Sequence, residues 1–287
     1  MKPRLECGIC ALKWTYERGL LEGAPPERLA RELIEVIEST LSERSNLGEV
    51  NNLAVFKAYE VCGRKSEYFE PFKERCNENA SRKLEEARNY IYGAKDGREM
   101  FERSLRIACA ANVSPVTGPK IPYSFEEVSE VIAGSQKFAV DRKVFEVLSR
   151  SKRILYVPDN AGEIGFDGLL IQVLKDMGKE VTLFVKRDPF FDDATLEDAV
   201  YFGIEKIAQE IHQIPGFLAL GQIGDKERKI VESVDLIICK GVGSYEALGE
   251  ELLRVPVLFI FKVKCLPLSA SLKTEVGKLQ VRLEEPN

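Results

Sequence analysis

The stretch Asp159-Asn160-Ala161-Gly162-Glu163, with Asp167 four residues further on, brings four oxygen-bearing side chains into one short segment. A second acidic run follows at Asp188, Asp192, Asp193 and Asp198. Carboxylates crowded together repel unless a cation sits among them, and Asp and Asn oxygens suit a hard divalent ion such as Mg²⁺ or Mn²⁺. Lysines recur in the same part of the chain at Lys240, Lys262 and Lys264. Ammonium groups beside a cation suit a bound phosphate, so the combination points to metal-assisted phosphoryl chemistry. For any single acid the ordinary alternative is helix capping: Asp159 or Asn160 for the helix that follows them, Asp193 for the segment beginning at Ala194.

What is missing narrows the chemistry further. The single histidine, His212, excludes a three-histidine zinc site and leaves any Ser-His-Asp triad dependent on one ring. Its setting in "QEIHQIPGF" reads as a helix surface. The segment Lys240-Gly241-Val242-Gly243-Ser244 lacks the order of a phosphate-binding P-loop, and no G-x-G-x-x-G opens the first helix of the second half.

The elements that must position these residues fall into two halves, 1–150 and 151–287. In the first, apolar residues recur three and four apart, as at Leu29, Leu33, Ile34, Ile37 and Leu41, which marks helix. Pro25 and Pro26 stand at a helix start, and Ser124 with Glu127 has capping-box spacing. In the second half, short β-branched runs ("RILYV", "EVTLFV", "GFLAL", "VDLIICK", "VPVLFIFKV") alternate with helical segments. That alternation predicts βαβ units: a helical N-terminal region followed by an α/β domain whose mainly parallel sheet has helices on both faces. Gly178 reads as a helix stop. The segment Lys262–Gly277 reads as the last strand's exit and a loop. In such sheets ligands bind beyond the carboxyl ends of the strands, which is where Asp159, Asn160, Glu163, Asp193, Lys240, Gly241, Gly243, Ser244 and Lys264 fall.

The chain of 287 residues is 45% hydrophobic with a net charge of −5 and no Lys/Arg run, so neither nucleic acid nor an anionic membrane is an expected partner. No stretch approaches a membrane span and the start lacks a secretory signal pattern, so the expectation is a soluble cytoplasmic protein. Seven Cys, an odd number, do not read as a disulfide framework. Cys7-x-x-Cys10 has the spacing of a dithiol or half a zinc site; the reading preferred here is inert packing.

At "ILYVPDNAGEIGFDGLLI", "DDATLEDA", "DLIICKGVGSYEAL" and "FKVKC", and more weakly at "PFKERCNENA" and "ACAAN", the sequence resembles the damage-control phosphatases, metal-dependent enzymes once known only as a domain of unknown function. The two-Cys start is similar to the family's prokaryotic branch. The resemblance implies a helical region beside a Rossmann-like α/β domain that carries the metal site, and hydrolysis of small phosphorylated metabolites such as sugar phosphates or nucleotides, with Mg²⁺, Mn²⁺, Co²⁺ or Ni²⁺. It implies Asp159, Asn160 and Asp193 as metal ligands and Asn112 and Lys264 near the substrate phosphate. Glu163, Lys240, Gly241, Gly243 and Ser244 are further candidate substrate contacts. The chain departs from the family pattern at Asp192 and Ser244, where Asn is frequent, and at Pro115, where an acid is expected. Attack by water and attack by Asp193 itself both remain open. The alternatives to a phosphatase are a methyltransferase using S-adenosylmethionine and a phosphometabolite-binding protein without turnover.

Overall fold

The structure, a computed structural model, describes residues 3–42, 44–63, 66–136, 139–251 and 253–286. Among the described residues seven helices come first: α1 (Leu5–Leu21), α2 (Pro26–Thr40), α3 (Leu47–Cys62), α4 (Phe69–Tyr92), α5 (Gly97–Ala110), α6 (Glu126–Ile132) and α7 (Arg142–Arg150). Strands and helices then alternate: β1 (Arg153–Val157), α8 (Glu163–Asp176), β2 (Glu180–Lys186), α9 (Leu196–Tyr201), β3 (Glu210–Ile214) and α10 (Asp225–Ser233). The chain closes with β4 (Leu236–Lys240), α11 (Val242–Leu248), β5 (Val257–Lys262), α12 (Leu266–Leu272) and β6 (Leu279–Glu284). A helical N-terminal region thus leads into a Rossmann-like α/β fold.

Local chemistry accounts for most helix starts. Pro26 opens α2, whose Leu29 and Leu33 are fully buried, while Ile34, expected on the same face, turns half outward. Asn46, Asp96 and Asp141 cap α3, α5 and α7 by accepting backbone N–H bonds. The capping box expected at Ser124 does not form. Phe125 precedes α6 in a left-handed conformation (φ 57°), buried against Tyr123 and Phe166, and Glu127 is instead paired with Lys262.

The sheet runs β3-β2-β1-β4-β5-β6, parallel throughout except for β6, which is antiparallel to β5. Chain order reverses between β1 and β4, so the crevice for ligands opens beyond Val157 and Cys239, which are register partners. One apolar core joins the helices to the sheet, running from Leu29 and Phe72 through Phe166 to Ile260.

Three expectations for the second half are corrected. The third strand is Glu210–Ile214, which places His212 in a strand and not on a helix surface; its Nε2 lies 2.8 Å from Glu210 Oε2. "GFLAL" is no strand: Asn52 holds its backbone, accepting from Phe217 N at 2.7 Å and donating to Phe217 O at 3.0 Å, which satisfies the buried chain without a ladder. The segment after Lys262 contains α12 and leads to β6, a sixth strand covering the edge of β5. Among the described residues, no helix is long and apolar enough to cross a membrane.

Candidate active site

Asp159 leaves β1 at the reversal point and meets the turn after β4. That turn is Gly241, at φ 82°; a Cβ there would collide with the Asp159 carboxylate, so glycine is needed both for the backbone and for the space. Asn160 and Asp193 form an antiparallel bridge, with Ala194 N donating to Asp159 O and Ala161 N to Asp192 O, each at 2.9 Å. Two strand-end loops are thereby laced together. The capping alternative fails for all three residues: α8 begins after Gly162 with no side-chain cap, and α9 is capped by Thr195 with Asp198 in a capping box.

The loop carrying Asp193 is held by the helical half. Phe191 adopts φ 52°, a rare conformation for an aromatic residue. Its N–H donates to Tyr59 Oη at 2.9 Å, and its ring packs on Trp14, Tyr59 and Phe69 at centroid distances of 5.5, 5.2 and 5.4 Å. Behind Asp193 stands Lys186, the last residue of β2 and 2% exposed, with Nζ 3.2 Å from Asp193 Oδ2 and over the rings of Phe190 and Phe217. That carboxylate oxygen is buried and accepts no well-aligned hydrogen bond among the described residues. Burial pushes the Asp193 carboxyl well above its ordinary range; Lys186 opposes this and Asp159 adds to it. Asp159 is likewise raised, by burial first and then by Glu163.

Glu163, fully buried at the start of α8, organises the surroundings. Its Oε1 accepts from Asn160 Nδ2 (2.9 Å), Val113 N (3.2 Å) and Ser114 N (3.3 Å), and its Oε2 from Asn112 Nδ2 (3.0 Å). Because Asn160 commits its amide NH₂ to Glu163, its carbonyl oxygen is left as its free ligand atom. Asn112 also donates to Asp159 Oδ2 at 2.7 Å and accepts from Lys262 N at 3.1 Å. Lys240, fully buried, lies 3.2 Å from Glu163 Oε2 and donates to Asp167 Oδ1 at 2.9 Å. Asn112, Glu163, Lys240, Gly241 and the buried Ser244 therefore stand behind the surface. Asp159, Asn160, Asp193, Gly243 and Lys264 line a cavity of about 150 Å³. Lys262 is occupied by Glu127, whereas Lys264 makes no hydrogen bond or ion pair among the described residues, and its ammonium is near enough to Asp159 to lower that carboxyl.

Residues 6–279 match the family model described as the damage-control phosphatase ARMT1-like domain. The chain belongs to the damage-control phosphatase family. It is 28% identical to a damage-control phosphatase of Archaeoglobus fulgidus, over 99% of this chain and all of that one. An uncharacterised Methanocaldococcus jannaschii protein is 29% identical over 96% of this chain and 94% of its own. The crystal structure of a DUF89 family protein from Pyrococcus horikoshii superposes with a TM-score of 0.79 at 25% identity, covering 97% of this chain and 98% of that one. Membership makes the chain a metal-dependent phosphohydrolase of small phosphorylated metabolites.

Within this phosphatase the sequence reading overlooked Lys186 and a buried polar group contributed by the helical half. Arg18 is fully buried; its Nε donates to Asp192 Oδ1 at 3.0 Å and its Nη2 to Pro115 O at 2.9 Å. Ser114 Oγ and Tyr123 Oη donate to the other oxygen of Asp192, at 2.6 and 2.5 Å. Burial alone would raise the Asp192 carboxyl, but Arg18 and these hydroxyls outweigh it and hold it below its ordinary range. The departure from the family at Asp192 is thus matched by a partner set for a carboxylate. Arg18 had no local signal, because its partner lies 174 residues away. We expect Arg18→Ala to leave Asp192 as an uncompensated buried charge and to cost roughly 3–5 kcal/mol of stability, read as a fall in denaturant midpoint.

Proposed function

We propose that Asp159, Asn160 and Asp193 hold a divalent cation and that Lys264 binds the phosphoryl group of a small phosphate monoester that the site hydrolyses. The supporting observation is a charge imbalance. Five carboxylates of the site (Asp159, Glu163, Asp167, Asp192 and Asp193) are buried with only three basic groups (Arg18, Lys186 and Lys240); burial raises the carboxyls of Asp159, Asp167 and Asp193, and of these Asp159 and Asp193 line the cavity. A dication would restore neutrality. The donors fit: two carboxylates and one carboxamide oxygen, with no imidazole or thiolate, suit Mg²⁺ or Mn²⁺, and Co²⁺ and Ni²⁺ also accept such oxygens. Among the described residues, no three His, Cys, Asp or Glu side chains could hold a metal ion by themselves, so the Asn160 oxygen is essential to this assignment.

A cation bound there supplies Lewis acidity toward the phosphoryl oxygens and lowers the pKa of a water. The chain supplies the rest. Lys264 places an ammonium against the phosphoryl group, and Lys186 fixes Asp193 from behind. Glu163 sets the orientation of Asn160 and Asn112, and Lys240 pairs with Glu163 and Asp167 behind the cavity without touching the substrate. Trp14 and Phe217 wall the cavity and restrict water. Phosphate hydrolysis is thereby favoured over methyl transfer and over binding without turnover.

The test is phosphate release from an aryl phosphate and from a panel of phosphorylated metabolites after exhaustive chelation. Activity should disappear and return with Mg²⁺, Mn²⁺, Co²⁺ or Ni²⁺. Full turnover in chelated protein would refute the site. Cys7 and Cys10, whose spacing resembles the start of the family's prokaryotic branch, have thiols raised by burial, Cys10 to about 12, so neither is a thiolate nucleophile at neutral pH. The double replacement by Ser is expected to keep turnover per folded molecule within a few-fold of wild type; complete loss in a folded, metal-binding variant would contradict this. The same reading places the enzyme in the cytoplasm, where thiols stay reduced.

A further inference from the structure

The metal-ligand set and Lys264 occupy one part of the cavity wall; another part is acidic. Glu6, Glu246, Asn51 and the thiols of Cys7, Cys10 and Cys265 line it, and Lys264 is the only basic side chain lining the cavity among the described residues. Glu246 follows Gly241 by five residues along α11, a rise of roughly 7–8 Å from the turn that touches Asp159. Its position is fixed by the crossing of α3 and α11. A Cβ on Gly48 would collide with Ala247, and Asn46 Nδ2 donates to Ala247 O at 2.8 Å. Asn51 Nδ2 donates to Glu246 Oε2 at 3.0 Å, and Oε1 accepts no hydrogen bond among the described residues. The cavity's volume of about 150 Å³ exceeds the roughly 10–15 Å³ a single water needs, so a substrate of several atoms fits.

On the reading that Asp159, Asn160, Asp193 and Lys264 receive the phosphoryl group, we infer that Glu246 is a specificity-determining residue. It selects phosphate monoesters whose leaving alcohol carries an ammonium group. A second phosphate or a carboxylate at that place would face Glu246 and Glu6 with no basic partner from the lining. An ammonium would meet Glu246 Oε1 directly while Trp14 and Phe217 cover an aliphatic body between the two ends. Burial raises the Glu246 carboxyl to about 7, opposed by the chain's N-terminal ammonium and by the Asn51 amide.

The experiment compares two matched series with the metal-loaded enzyme: ω-aminoalkyl phosphates roughly two to six carbons long, spanning the reach to Glu246, and alkyl phosphates with methyl in place of the ammonium. At the best chain length wild type should favour the amine in kcat/KM by at least about ten-fold, the value of one charge-assisted hydrogen bond. Glu246→Gln should bring that ratio to about unity, whatever its absolute rate, and Glu246→Asp should keep the preference. Absence of amine preference at every length in wild type overturns the inference without recourse to any variant. So does a preference that survives Glu246→Gln. Turnover of an aryl phosphate but of neither series also overturns it, whereas no hydrolysis of any ester with any of the four metals removes the phosphatase site itself, and this subsite with it.

Discussion

Asp193→Asn should abolish phosphate release while leaving the protein folded. The substitution keeps shape and removes one negative charge from an oxygen that faces Lys186 and the cavity. If the carboxylate holds the cation, both metal affinity and turnover fall; the several kcal/mol that a metal contributes to the transition state corresponds to a loss of roughly 10²–10⁴-fold. If Asp193 were only a loop residue, little would change. Capping offers no escape, because α9 takes its cap from Thr195. Folding should tolerate the change, since the buried Asp193 carboxyl is already pushed upward and its ionised form is disfavoured without a cation. The decisive pair of measurements is calorimetric titration with Mn²⁺ and kcat/KM on an aryl phosphate. Wild-type values in both would remove Asp193 from the site, and Asp159→Asn provides an independent check on the same set.

Much of this arrangement is legible in the sequence because strand ends carry local signals. A β-branched run followed by Asp159-Asn160 and another followed by Lys240-Gly241 mark two adjacent carboxyl edges, and the parallel-sheet rule brings them together. What is not legible comes from contacts without a period. Arg18 reaches Asp192 across 174 positions, and Asn52 replaces a strand partner for Phe217 across 165. The misread strand "GFLAL" shows why: Leu218 and Ala219 are fully buried, so composition reports burial correctly, but burial alone does not distinguish a ladder from a loop held by one carboxamide. Lys240 and Lys264 illustrate the same limit for charge. Both follow a strand, yet one is sealed between Glu163 and Asp167 and the other lines the cavity. Only the packing of α8 against the sheet separates their tasks.

That separation yields the second large effect. Lys264→Ala should depress kcat/KM on phosphate monoesters by roughly 10²–10³-fold, the loss typical of removing one preorganised charge or donor from a developing anion, while leaving the affinity for Mn²⁺ close to wild type. The asymmetry follows from geometry. Lys264 lies beside Asp159 in the cavity but contributes no atom to the Asp159, Asn160 and Asp193 oxygen set, and it opposes a cation instead of attracting one. Its removal should therefore, if anything, tighten metal binding. Lys262→Ala is the control: its ammonium is already paired with Glu127, so its loss should lower stability modestly and spare the phosphoryl group. Equal losses of metal affinity and turnover in Lys264→Ala would show that the lysine supports the fold of the loop. Unchanged kinetics would show that the phosphoryl group binds elsewhere in the cavity.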